Sequence, residues 1–250
     1  MDFAVFQGAL DGRAMSGACM LVVMSATTVR REIKVALAAL TIASSSLDVT
    51  VFLRLGGLFA SVMTSNLIFV SLAVVKAERA LGVHCAVALV CYVGGVGAGS
   101  WFARPSGRES RLGTFRLSAL LTAEAALLAG YAAWWIIDGA HPVGWQQLTL
   151  LGAVTFAMGL QGAAFRQLGD PEAGTTYMTG ALTGMVSSVV TGRRPDAGAM
   201  VALAGILVGA AAGAGLLEGA PDLTPFLAVA GVGCTAAMSW HEHRLASVVQ

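Results

Sequence analysis

LDVTVFLRLGGLFASVMTSNLIFVSLAVV, residues 47–75, decides the fold. No charged residue lies between Leu55 and Val75, yet Ser61, Thr64, Ser65 and Asn66 occupy the middle of that run. Backbone at membrane depth must be hydrogen-bonded, unless it lines a cavity or is buried in protein. Ser, Thr and Asn are the side chains that supplement a broken backbone, so the pattern predicts a broken or re-entrant helix over 57–75. The alternative is a continuous helix whose Thr64 and Ser65 hydroxyls bond back to their own backbone. A second stretch, TTYMTGALTGMV at 175–186, repeats the pattern.

The rest of the chain explains why lipid is the solvent. Of 250 residues, 56% are hydrophobic and 12% charged, with a mean hydropathy of +0.76; soluble domains carry about 25% charge. A spanning helix needs roughly 20 predominantly apolar residues. Val35–Leu53 is interrupted only by Asp48, Leu81–Ala103 only by His84, and Leu117–Ile137 only by Glu124. Pro142–Phe165, Ala197–Leu217 and Leu223–Trp240 are free of charge. With 55–75 and 175–192 these make eight membrane-depth segments, and no room is left for a soluble domain. Residues 1–34 read as a cytoplasmic lead-in, because Asp2 and Asp11 spoil the positive start of a signal peptide; the apolar 14–29 is short for a span.

Sliding the chain by 113 positions lays LDVTVFLRLG (47–56) on LQGAAFRQLG (160–169), and two further positions bring Met63-Thr64 onto Met178-Thr179. Two structural repeats follow, at about 35–103 and 147–217, with a linking helix at 114–137 and a final helix at 223–240. Duplication of this kind is common in transporters. Positive residues collect in cytoplasmic loops. If all eight segments crossed, six of the fifteen positive residues would lie outside. If 57–75 and 175–192 return to the side they left, only Arg54, Lys76 and Arg79 do. The expected architecture is therefore an all-α integral membrane protein of about six spans plus two re-entrant or broken helices. The two repeats are inverted, and both termini of this multi-pass cell-membrane protein are cytoplasmic.

LTIASSSLDVTVFLRLGGLFASVMTSNLIFV (40–70), FAMGLQGAAFRQLG (156–169) and TTYMTGALTGMV (175–186) resemble the signature stretches of the YoaK-like family. These are integral membrane proteins of unknown biochemical function, and the likeness runs from about Val35 to the last helix. The resemblance implies a Met-Thr-Gly-Asn motif in each half. Here the first reads Met63-Thr64-Ser65-Asn66 and the second Met178-Thr179-Gly180-Ala181, without the asparagine. The Leu-Gln-Asn that the resemblance implies is Leu160-Gln161-Gly162. The likeness supports the membrane architecture and supplies no substrate.

Two carboxylates lie inside spans. A charge there costs about 2.5–3.5 kcal/mol on insertion scales, so Asp48 and Glu124 read first as functional, and as groups able to exchange protons. The structural alternatives are an ion pair of Asp48 with Arg54 and a bond from Glu124 to a neighbouring helix. Gln161 is the repeat counterpart of Asp48. His84, near a helix end, reads as an unremarkable interfacial histidine. Gly95/Gly99 and Gly205/Gly209/Gly213 have the four-residue spacing of close helix packing, inside the chain or in a homo-oligomer. Gly-Val-Gly-Ala-Gly is no dinucleotide loop, because no strand precedes it.

No cofactor or metal set is expected, since the four cysteines have no ligand spacing. A net charge of +1 gives no field for nucleic acid. No Ser-His-Asp arrangement or HExxH motif appears, so a non-enzyme is expected. The leading function is a small-solute transporter in the lipid bilayer, in a form that proton coupling through Asp48 or Glu124 would extend. Its central polar site would comprise Asp48, Thr64, Ser65, Asn66, Glu124, Gln161, Thr179 and Gly180. The alternative is a non-transporting scaffold or regulator of a partner complex.

Overall fold

The structure is a computed structural model, and it describes residues 17–104, 111–167, 178–194 and 196–248. Among these the chain is all-helical: α1 (Gly17–Arg54), α2 (Met63–Lys76), α3 (Arg79–Phe102), α4 (Arg111–Ile137), α5 (Trp145–Gln167), α6 (Met178–Val190), α7 (Ala197–Gly219) and α8 (Thr224–Val248). A single 3₁₀ turn, Pro221–Leu223, joins the last two. Met1–Val35 forms a unit by itself, helical from Gly17, and Ala36–Gln250 forms the main body.

Among the described residues six segments are long and apolar enough to cross a membrane: Val35–Arg54, Arg79–Phe102, Phe115–Ile137, Trp145–Arg166, Ala197–Gly219 and Pro221–His241. Met63–Lys76 and Thr179–Val190 are apolar but too short. The six-plus-two division therefore stands. At 14 residues α2 is about 21 Å long, against about 30 Å for a hydrocarbon core.

Polar contacts at one end of the body set the directions of three helices. The Arg54 carbonyl, at the end of α1, accepts from Gln147 Nε2 near the start of α5 (2.8 Å). Gln147 Oε1 lies 3.0 Å from His84 Nε2, near the start of α3. So α1 ends at the end of the body where α3 and α5 begin. The chain leaves that end of the body after Arg54 and is back at it by Arg79.

Small residues let the backbones approach. A Cβ on Gly95 of α3 would overlap the Phe156 carbonyl of α5 and touch Gly159, and one on Gly99 would meet Ala163 and Leu160. A Cβ on Gly209 of α7 would overlap the Ile42 carbonyl of α1 and touch Ser45, and one on Gly213 would meet Ser46. Gly95 and Gly209 are 114 positions apart, as are Phe156 and Ile42, Gly159 and Ser45, Gly99 and Gly213, and Leu160 and Ser46. Helix α7 thus lies on α1 as α3 lies on α5, each pair running in parallel. These four glycines make their close contacts inside the chain.

The two short helices also end alike. Ala77 is left-handed (φ 53°), with Ala77 N–H bonded to Val74 O and Glu78 N–H to Ala73 O. Gly192 is left-handed (φ 68°), with Gly192 N–H bonded to Val189 O and Arg193 N–H to Ser188 O. Each turn closes on the last carbonyls of its helix, a common helix end, and the two are 115 positions apart. Each short helix then folds back along the helix that follows it, α2 on α3 and α6 on α7.

The core is built where α4 packs on α5 and α8, and α3 on α5. Leu47, Val51, Leu128, Trp135, Leu151 and Val154 are among its fully buried side chains. Trp135 satisfies its indole N–H on the Pro221 carbonyl (2.9 Å), and so fixes the α7–α8 corner against α4. Five hydroxyls of α1, on Thr41, Ser44, Ser45, Ser46 and Thr50, are buried and bonded to carbonyls three or four residues back. These hydroxyls, spread around α1, are thereby carried through the core without unsatisfied donors.

Candidate functional site

The re-entrant segment is held by two side chains. After α1, Gly56 (φ 108°) and Gly57 (φ 75°) turn the chain sharply, and Gly56 has the His84 ring where a Cβ would go. The chain then runs inward through Leu58, Phe59, Ala60 and Ser61 without helical bonds. Asp48 lies six residues before Arg54, about 9 Å deeper along α1. Its Oδ1 accepts from Ser61 N–H (2.8 Å) and its Oδ2 from the Ser61 hydroxyl (2.5 Å). The expected alternative for Asp48, an ion pair with Arg54, is not what the structure shows.

Asn66, on the first turn of α2, is fully buried. Its Oδ1 accepts from Phe59 N–H (3.1 Å) and its Nδ2 donates to Phe59 O (2.7 Å). One amide therefore satisfies both backbone groups of a residue outside the helix, and Nδ2 also meets Met63 Sδ at 3.5 Å. Without these two side chains, backbone groups at Phe59 and Ser61 would lie at membrane depth without partners, each costing about 1–3 kcal/mol.

Glu124 and Gln161 form a second polar pair. Both are buried where α4 crosses α5, and Gln161 Nε2 donates to Glu124 Oε1 at 2.8 Å. Glu124 Oε2 is buried without a partner. The structural alternative for Glu124, a bond to a neighbouring helix, thus describes one of its two oxygens. The repeat made Gln161 the counterpart of Asp48, but its amide turns to the linking helix.

Of the remaining sequence candidates, Thr64 is exposed on α2 and Ser65 is half-buried beside Asn66. Thr179 and Gly180 are exposed at the start of α6, and the Cβ position of Gly180 has no atom within 4 Å. The structure brings together Asp48 with Ser61, Asn66 with Phe59, and Glu124 with Gln161; it leaves Thr179 and Gly180 outside these contacts. Leu168, Gly169 and Thr175 to Tyr177, which begin the second motif, lie outside the described residues. Among the described residues no three His, Cys, Asp or Glu side chains gather into a metal-binding group.

Sequence reasoning passed over three participants. Ser61 was visible as a polar interruption, but its spacing of 13 from Asp48 fits no helical period. His84 and Gln147 tie three helix ends together across 63 positions. The one local hint was the Gly56-Gly57 pair, which signals a turn that needs a partner to close on.

The family model described as "Protein of unknown function (DUF1275)" matches residues 36–239, from within α1 to within α8. No curated protein and no solved structure matches the chain.

Proposed function

The chain belongs to the DUF1275 family, proteins of unknown function, and we propose that it is a small-solute carrier built from two inverted repeats. The observation that carries this reading is the stretch of non-helical backbone at membrane depth, clamped by Asp48 and Asn66. Irregular backbone is tolerated there only beside a cavity or inside protein, and transporters place substrate sites at such discontinuous helices. The inverted arrangement draws support from the two glycine interfaces, related by one spacing. It also draws support from α1 and α5, which begin at opposite ends of the body.

In this reading Asp48, Ser65, Asn66, Glu124 and Gln161 line the path of a polar solute. Thr64, and Thr179 and Gly180 from the second half, reach it when the halves rock. Both termini and the 104–116 connection are cytoplasmic, and Lys76 and Arg79 face the other side. The membrane is the cell membrane.

Reconstitution into proteoliposomes with metabolite-wide uptake and efflux profiling tests the reading. Flux of at least one solute above protein-free liposomes is expected. Folded protein that moves nothing, and instead holds a co-purified partner, would favour the scaffold alternative.

A further inference from the structure

The two intramembrane carboxyl groups differ in what surrounds them. Asp48 has a partner on each oxygen: a backbone N–H and a hydroxyl, both of Ser61. The backbone N–H on Oδ1 can only donate, while the Ser61 hydroxyl on Oδ2 can give or take a proton, so this cradle leaves neither oxygen of Asp48 without a partner in either form. Glu124 is the reverse case. Oε1 takes one N–H from Gln161, while Oε2 is buried with nothing to bond. An ionised oxygen in that position would carry charge in a medium that does not solvate it, at a penalty of several kcal/mol.

The elements packed on Glu124 bring no countercharge. Between Phe115 and Ile137, α4 has no basic residue other than Arg116, about two turns away at the helix end. On α5 the facing group is neutral Gln161, and Arg166 lies exposed more than a turn beyond it. On α8 the ionisable residues of the span are Cys234, which is exposed, and His241 at its far end. Tyr131, two turns along α4, is buried, and its hydroxyl also lacks a partner. A metal cation would need several oxygen ligands around it, whereas the one polar group on the carboxyl is an amide donor.

We propose that Glu124 is the proton-carrying carboxyl of the core and that Asp48 is a structural clamp. A proton from water forms the Oε2–H bond of Glu124, and its release restores the carboxylate. Because the residue is fully buried here, that exchange requires α4 and α5 to open the pair to water. Its use as the coupling site rests on the carrier reading; its existence does not.

The test reads protonation without reading transport. Infrared difference spectra of the full chain in lipid nanodiscs, taken between acid and alkaline buffer, should show a buried protonated-carboxyl C=O band. The band should shift when glutamate is labelled with carboxyl-¹³C and stay in place when aspartate is. It should persist in Asp48→Asn and vanish in Glu124→Gln. The labelling arm needs no variant, so a poorly folding substitution does not blunt the test. A band that follows aspartate labelling, or no protonated-carboxyl band at any pH, overturns the assignment. If the band behaves as expected but no solute moves, the carrier reading fails and the proton site stands.

Discussion

Replacing Asn66 with leucine keeps the approximate volume of the side chain and removes both of its bonds to Phe59. The Phe59 carbonyl (2.7 Å from Nδ2) and N–H (3.1 Å from Oδ1) would then be buried without partners. Orphaned groups cost about 1–3 kcal/mol each, although side-chain bonds in membrane proteins average about 0.6 and reach about 1.7. Taking about 1–1.5 for each group gives a loss of about 2–3 kcal/mol for the pair. A chain of this size loses about 2–4 °C of melting temperature per kcal/mol, so the expected fall is about 4–12 °C. Thr64→Ala, two residues away and exposed, should stay within about 0.5 kcal/mol of the parent. The assay is thermal unfolding of both variants in the same lipid nanodiscs. Asn66→Leu as stable as Thr64→Ala would show that the re-entrant segment does not hang on this amide.

Other perturbations probe the remaining joints. Asp48→Asn places an amide N–H₂ among the donors of Ser61 and should destabilise by about 1–3 kcal/mol; unchanged melting would remove Asp48 as the clamp. Gly95→Ala and Gly209→Ala force a Cβ into the Phe156 and Ile42 carbonyls and should each lose about 1–3 kcal/mol, while Gly97→Ala meets open space and should be near neutral. If only one of the two core substitutions is harmful, the equivalence of the interfaces fails. Cysteines introduced at Glu78 and Arg193, on a background without native thiols, should react with impermeant reagent from opposite sides, Glu78 from outside intact cells. Labelling of both from one side contradicts the inverted arrangement. Asn66→Ala should reduce flux more than Ala181→Asn changes it, because Ala181 supplies neither bond.

The membrane-depth segments were legible because charge is so costly in lipid that Asp48 and Glu124 stand out in otherwise uninterrupted runs. The break after Leu55 was legible for a related reason, since Ser61 and Asn66 have no purpose on a lipid-facing helix. The expected repeat rested on matches such as Leu55-Gly56 against Leu168-Gly169; among the described residues the same spacing relates the glycine contacts of Gly95 and Gly209 and, within one position, the left-handed turns at Ala77 and Gly192. What stayed hidden was partner choice. The structural alternative for Asp48 was a pair with Arg54, a neighbour on the same helix, yet it bonds Ser61, because the Gly56-Gly57 turn folds the chain back along α1. Gln161 was matched to Asp48 by register, but an amide takes the nearest acceptor that burial leaves in want, and that is Glu124. Thr64 shares a motif with Asn66, though successive helix positions differ by about 100° and point them to different surroundings.

Solute flux through proteoliposomes, measured side by side for the parent chain and for Asn66→Leu protein confirmed to be folded, tests the central claim most directly. The account predicts that at least one polar solute moves faster than in protein-free liposomes, and that the variant slows it. A correctly folded, correctly oriented parent chain that moves no solute under any gradient would contradict it.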